Sequence, residues 1–500
     1  MKKIILLFIG VVLALASCND FMDINTDPNA PSDETITPSL IFPGAEMNLC
    51  TEYGNFLRIN GGYLAQHYGH QFGTSNYIAI SRWLMADTRC NRNYSQLSTR
   101  CLKNMETVRN MATSSEEWGT YLAATVIRGF AYQILVDTYG EVPYTEALQG
   151  AGNMTPKFDN GLDIYQGILA ELDDALSKVA GNDAVCTNFL FGTTSVTEWV
   201  RLANALKLKM LMRMRDASNV NSELAALIAE DNFPKGDVAW KGFWVNESGK
   251  ANPFYQEEVA TYFGSTQVNV TMNIALVKTL QAGNDGRLAA IVVPATGSGG
   301  PYTGSVSGTN FNTAGSALGT PYWNRPVVAY NTPVYLITLS EIEFFLAEYY
   351  AAVSVNATAA QSHYEAAIKA SFATLESSGA DDVISANPWV NADWKQLIGI
   401  QKWLALSGIN NHEAWCELRR LKYPAFGTVT GAQLYNEATA TYSPGAYVPG
   451  TLYEPIQKNA NLNANTILQR WPYPETATSN NPNAPKNKDS DCNKSVFWAQ

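Results

Sequence analysis

Apolar positions recur along most of the chain at the three-to-four-residue spacing of helices that bury one face. Residues 118–139, WGTYLAATVIRGFAYQILVDTY, are apolar on nearly every side, the pattern of a helix enclosed by other elements. Residues 162–179 set Ile168, Leu172, Leu176 and Val179 on one stripe, and Gly181 offers a C-cap. A helix from Thr197 carries Trp199, Leu202, Leu206 and Met210 on its apolar side, while Lys207, Lys209, Arg213 and Arg215 give it a basic edge. Ser340-Glu-Ile-Glu343 has capping-box spacing and opens a helix through Tyr350. Tyr364, Ile368, Phe372 and Leu375 mark its partner, and further helices are expected at 394–406 and 413–421.

The rhythm breaks between 231 and 335. Aromatic and Gly-rich loops take over, with short β-like runs at 289–293 and 334–339. Residues 294–324, PATGSGGPYTGSVSGTNFNTAGSALGTPYWN, are too long to be filler between elements. The pattern therefore predicts a mainly α protein. A body of tetratricopeptide-like helix pairs, without a strict repeat, carries an irregular loop-rich subdomain and a few short strands. The expected divisions are helical body at 44–230, irregular ligand-binding region at 231–335, helical body again at 336–430, and a Pro- and Asn-rich wrap at 431–500.

The first residues follow another pattern. Lys2 and Lys3 precede an apolar stretch, residues 4–16, that is short for a bilayer span but has the length of a signal-peptide core. It stops at Leu15-Ala16-Ser17-Cys18 and turns polar at once. A bacterial lipobox has this form: small residues admit a peptidase, and the Cys18 thiol receives the lipid. The expectation is a signal peptide at 1–17, acylated Cys18, and a tether at 18–43 rich in Asp, Asn and Pro. The plainer alternative is an ordinary signal peptide with a chance cysteine.

Composition narrows the function classes. The formal charge is −11 without basic runs, which argues against nucleic acid and anionic membrane surfaces. Aromatics reach 11% of the chain, with 12 Trp and 25 Tyr, more than cores alone require. Six cysteines remain beside Cys18, and about fifteen pairings are open to them, Cys90 with Cys101 among these. No nucleophile elbow, phosphate loop or dinucleotide fingerprint is present. His412-Glu-Ala-Trp-Cys416 imitates a zincin motif but has Cys where the second His belongs, so Glu413 and Glu417 are read as partners for Arg419 and Arg420. Asp159-Asn-Gly-Leu-Asp163 reads as a helix N-cap and lacks the later ligands of a calcium loop. No cofactor is expected, and a structural calcium ion elsewhere stays open.

Several stretches together resemble the SusD/RagB family of Bacteroidetes surface lipoproteins, in its nutrient-binding branch. They are the lipobox with NDFMDINTDPNAP after it, Asp137-Thr-Tyr-Gly-Glu-Val-Pro-Tyr144, and residues 199–215, WVRLANALKLKMLMRMR. Gln401-Lys-Trp403, Glu413-Ala-Trp-Cys-Glu-Leu-Arg-Arg-Leu-Lys-Tyr-Pro424 and Arg470-Trp-Pro-Tyr-Pro-Glu475 follow in order. The resemblance implies four tetratricopeptide-like helix pairs with an irregular region packed on them. It also implies a lid over a SusC-like TonB-dependent outer-membrane transporter, capturing glycan or other nutrient without catalysis. The alternatives are a lipid-anchored surface glycosidase or peptidase, a binder of peptides instead of glycans, and an adhesive surface protein.

Pyranose rings present flat C–H faces that pack on aromatic rings, while their hydroxyls require polar neighbours. Two loops supply the mixture: Tyr77, Arg82, Trp83 and Asn93 from the first, and Tyr322, Trp323 and Asn324 from the second. These seven are the expected ligand-binding residues, with Tyr302, Trp240 and Trp244 in reserve.

Overall fold

The run at 118–139 forms one helix, Trp118–Tyr139, and every residue after Trp118 is buried. It stops at Gly140, whose φ of +86° is the left-handed backbone that glycine adopts without a Cβ clash. The computed structural model describes residues 36–71, 75–260, 269–295, 302–309 and 324–499. Among these residues helices dominate, and strands occur only as two-stranded pairs. No helix among them is long and apolar enough to cross a membrane.

The body begins with α1 (Pro38–Gly54) and α2 (Phe56–Leu64). Helix α1 starts inside the stretch expected to be tether, because Phe42, Ala45 and Leu49 are buried in the core. Then α3 (Asp87–Ser95) runs through a π-helical turn into α4 (Lys103–Ser114), which packs against α5 (Trp118–Tyr139). Helices α6 (Gly161–Lys178) and α7 (Thr197–Met214) pack on α5 in turn. The second half supplies α8 (Leu339–Ala352) with α9 (Ala357–Thr374), and α10 (Trp394–Ala405) with α11 (Asn411–Leu421), each pair joined by a short loop. Mainly α, helix-paired architecture is therefore what the sequence pattern led to.

Local details differ. The cap of α8 is Thr338, whose hydroxyl accepts from the Glu341 N–H at 3.2 Å; Ser340 instead donates to Ala367 O at 2.8 Å. Helix α6 ends at Val179 in extended backbone and makes no use of Gly181 as a cap. Residues 289–293 are mostly the short helix Arg287–Ile291, with only Val292–Val293 extended. Cys90 and Cys101 are both buried as free thiols, as are Cys50 and Cys416, so no disulfide joins the described cysteines.

The irregular region is stitched to the helices by two antiparallel pairs. Strand β1 (Tyr68–His70) follows α2 and pairs with β3 (Val270–Met272); β2 (Val238–Trp240) pairs with β4 (Val334–Ile337), which leads into α8. Close backbone approach fixes α2 against α11: a Cβ on Gly61 would lie 2.5 Å from the His412 Cα.

Two residues of the basic edge of α7, Lys209 and Arg213, face inward. Arg213 is fully buried and ion-paired to Asp137 of α5 and to Glu413 and Glu417 of α11. Lys209, one turn earlier, pairs with Glu341 of α8 at 2.8 Å and with Glu413 at 3.4 Å. Glu417 also takes Lys402 of α10 at 2.9 Å and Arg420 at 2.6 Å, and Arg420 reaches Glu348 of α8 at 2.5 Å. Burial acts to raise the Glu417 carboxyl, but Arg420, Lys402 and Arg213 together hold it well below the usual range. Asp137 is completed by the Tyr165 hydroxyl at 2.5 Å and the Trp498 indole N–H at 2.7 Å. Arg419 departs from the expected pairing with Glu413 or Glu417: it lies 3.5 Å from the Trp415 ring centroid and donates to Gln469 O at 2.7 Å.

Two other buried carboxylates have no cation at ion-pair distance among the described residues. Glu46 accepts from the Phe189 and Leu190 N–H groups, each at 2.7 Å, and from the Trp240 indole at 3.1 Å. Glu52 accepts from Asn93 Nδ2 at 2.5 Å. Burial, the dominant cause, lifts both to about 7.

Removing Arg213 leaves Asp137 in the core without a cation among the described residues and takes one partner from each of Glu413 and Glu417, which keep Lys209 and Lys402 with Arg420 respectively. Arg213→Met is expected to cost about 3–5 kcal/mol, read as a lower denaturant midpoint at pH 7; a cost under about 1 kcal/mol would mean that the acids find other partners. Glu52 predicts a pH signature. Its carboxyl is raised in the fold, so its contribution is complete below the unfolded value near 4.5 and is lost as pH climbs through about 7. Glu52→Gln keeps an acceptor for Asn93 and carries no charge. Relative to the parent it is expected to gain up to about 3 kcal/mol at pH 8.5, and to show none of that gain at pH 4. Unfolding curves at both pH values check this, and an identical difference at each would contradict it.

Candidate functional site

Tyr77 stands at the entry of a one-turn helix, Ile78–Ser81, with φ of +63°, and Trp83 just beyond it has φ of +60°. Two large aromatic residues in left-handed backbone bracket this loop, a costly conformation that only surrounding contacts can hold. For Tyr77 the contacts are its hydroxyl, which donates to Glu258 at 2.7 Å, and its ring, 5.7 Å from that of Tyr63. Burial, followed by the hydrogen bonds that moderate it, leaves Glu258 raised to about 6.

The half-buried Tyr77 ring lines a cavity of about 230 Å³ with Phe56, Asn60, Arg89, Arg92 and Glu257, and Glu52 at its wall. The Arg89 guanidinium lies 5.0 Å from the Tyr77 ring centroid and 5.4 Å from that of Phe56, and its Nε donates to Asn60 Oδ1 at 3.1 Å. Helices α1 and α2 supply Glu52, Phe56 and Asn60; α3 supplies the two arginines. Aromatic surface thus sits beside cationic donors and carboxylate acceptors, a combination suited to a ring bearing several hydroxyls. The volume lies below that of sites for drug-sized ligands, about 300 Å³ and upward, so it suits one sugar unit and not a chain enclosed whole.

The other expected residues have different places. Trp83 is wholly buried, its indole N–H donating to Tyr63 O at 3.3 Å and its ring edge-on to Phe426 at 5.9 Å, so it has no face to offer a sugar. Asn93 is buried behind the cavity, tied to Glu52 and to the Tyr139 hydroxyl. Arg82 is half-buried and acts as a strut: its Nε donates to Gly308 O at 3.1 Å, and its carbonyl accepts from the Asn459 N–H at 2.8 Å. Asn324 is a second strut, its Oδ1 accepting from the Thr303 and Gly304 N–H groups at 2.7 and 3.0 Å. Aromatic and amide character in a loop does not encode burial, and here backbone anchoring consumes these groups. Tyr322, Trp323 and Cys18 lie outside the described residues.

Among the reserve residues, Trp240 is buried on Glu46, and the half-buried Tyr302 accepts from Lys278 through its carbonyl. Trp244 packs 4.5 Å from Phe243, itself 5.1 Å from Phe189, which is 41% exposed. The sequence reading missed Phe56, Arg89 and Arg92 in the cavity. The one available signal was the spacing of Arg89 and Arg92, three apart on a helix that directly follows the aromatic loop. The His412–Cys416 pair shares a helix face with 3.9 Å between Nδ1 and Sγ, but His412 Nε2 lies 3.0 Å from the Thr138 hydroxyl, and no metal-ligating group of three occurs among the described residues.

Comparison with solved structures places this fold. A SusD homolog from Bacteroides uniformis superposes with a TM-score of 0.72 at 19% identity, covering 91% of this chain and 98% of its own. A SusD-like protein from Bacteroides thetaiotaomicron gives 0.66 at 18% identity, covering 92% and 98%. A chitin-binding SusD homolog from Flavobacterium johnsoniae gives 0.67 at 17%, covering 93% and 96%. No curated protein sequence matches the chain. The family model described as starch-binding, associating with the outer membrane, matches residues 28–442. With a match over that span and the helix-paired fold behind it, the chain belongs to the SusD-like family.

Proposed function

We propose that the protein is a lipid-anchored receptor on the outer-membrane surface that binds a glycan at the Tyr77 cavity. It passes the bound glycan to a SusC-like TonB-dependent transporter, over which it acts as a lid. The observation that carries the binding reading is the half-buried Tyr77 ring, set among Phe56, Arg89 and Glu52 in a cavity sized for one sugar unit. Chitin binding by a relative of the same fold supports a glycan in preference to a peptide. The anchor rests on the Leu15-Ala16-Ser17-Cys18 sequence and on the family's association with the outer membrane. Binding proceeds by contact alone: ring faces take the C–H surface, the arginines donate to hydroxyls, and no bond is made or broken.

Calorimetric titration of the mature chain with chito-, malto- and xylo-oligosaccharides, and with peptides as controls, tests this. At least one glycan is expected to bind, and Tyr77→Ala to weaken it about tenfold or more, the loss of one stacking contact with its neighbours. Undiminished affinity in that variant removes the site, and shortened glycan products after incubation would replace a receptor with an enzyme. For the transporter, a large barrel protein is expected to co-purify from detergent-solubilised outer membranes.

A further inference from the structure

A second cavity, larger than the first, lies at the C-terminal end of α11. Its volume is about 530 Å³, and its lining includes Arg419, Lys422, Phe426, Asn463, Asn465 and Ser495. Fourteen residues line it and none is Asp or Glu, although the chain as a whole carries −11. Neither Arg419 nor Lys422 forms an ion pair among the described residues. The guanidinium is held by the Trp415 ring, Gln469 O and the Cys416 thiol; the ammonium donates to Ala499 O at 3.1 Å. Beside desolvation, the neighbouring charges of Arg419 and Lys395 depress the Lys422 ammonium, while the carboxylate that acts on Arg419 is Asp137 in the core and not a residue of the cavity lining. Glu454, joined to the cavity lining through the Asn465 N–H it accepts at 2.8 Å, is occupied by Lys458 at 2.6 Å.

The rest of the lining is not that of a simple anion hole. Asn463 and Asn465 are exposed, and their side-chain amides make no hydrogen bond among the described residues. Phe426 and Leu452 add apolar surface. Free carboxamides beside a ring suit a polyhydroxylated ligand, and the unpaired cations favour one with a negative charge. Lys422 holds left-handed backbone, φ +63°, at the helix end where glycine would sit without strain. The side chain at that position therefore has to be accounted for, and a bond to one carbonyl uses only part of it.

We infer that this cavity is a second ligand site, taking a carboxylate-bearing sugar, a hexuronate unit, with its carboxylate at Lys422 and its hydroxyls at Asn463 and Asn465. It shares no residue with the Tyr77 cavity. The buried Trp83 packs its ring against Phe426 of this cavity and gives its indole N–H to Tyr63 O. The site therefore does not rest on the glycan reading of Tyr77.

Titration of the mature chain with trigalacturonate and oligoglucuronate, against the matched neutral galactose and glucose trimers, tests the inference. One uronate is expected to bind at least tenfold more tightly than its neutral counterpart, with the advantage shrinking between 50 and 300 mM salt. Lys422→Met is expected to abolish the advantage and Lys422→Arg to keep most of it. Should Lys422→Met not fold, as judged by its thermal melt, the surface double variant Asn463→Ala/Asn465→Ala serves, with a loss of tenfold or more expected. The inference falls if neither uronate binds, if acidic and neutral trimers bind alike, if a sulfated trimer binds where both uronates do not, or if the advantage survives in the folded variants.

Discussion

A buried arginine has to be neutralised where it stands, and Arg213 sets that requirement for the whole body. Its guanidinium sits at zero exposure among Asp137, Glu413 and Glu417, which come from helices far apart in sequence. Such a cluster adds little net stability over a well-packed apolar core of the same volume, because desolvation of each charge offsets most of the attraction. Its effect is on choice of arrangement. Sliding α7 by one residue against α5 or α11 would leave both a guanidinium and a carboxylate without partners, at several kcal/mol each on the order of a broken buried pair. Apolar stripes tolerate such a slip far better.

That constraint propagates to the Tyr77 cavity. Glu413 and Glu417 orient α11 about its own axis, and α11 meets α2 where Gly61 lets the two backbones touch at His412. Helix α2 then presents Phe56 and Asn60 to one side of the cavity, and α3 brings Arg89 across to them. The cavity is thus built from elements locked at the core, while the loop carrying Tyr77 is anchored at its own hydroxyl and ring. Rigid walls limit the entropy that a ligand taken up there would have to offset.

Helix positions were legible because burial of one face imposes periodicity, and α5, α7, α10 and α11 run close to where that period put them. Capping was less so. Ser340 and Glu343 have the right spacing, yet Thr338 two residues earlier had equal chemistry, and the turn out of β4 decided between them. The buried charges could not be read at all: Lys209 and Arg213 fall on the polar side of α7, which in one sequence looks the same whether it meets water or the carboxylates of three other helices. The loop aromatics posed the same problem. Tyr77 and Trp83 are six residues apart with similar neighbours, and only tertiary packing makes one a cavity wall and the other a core ring.

Trp83 shows why the largest ring of the loop is not the one left at the cavity. An indole at φ +60° is held only if its whole surface is used, and here Tyr63 O takes its N–H while Phe426 covers its edge. Once so enclosed it cannot also serve a ligand, but it fixes the loop on which Tyr77 and Arg82 stand. Tyr77 can be shared in a way Trp83 cannot: its hydroxyl reaches Glu258, leaving part of its ring toward the cavity. A phenol with its polar end anchored is the better arrangement for stacking on a ligand, since the ring is ordered beforehand and no indole N–H is left to satisfy.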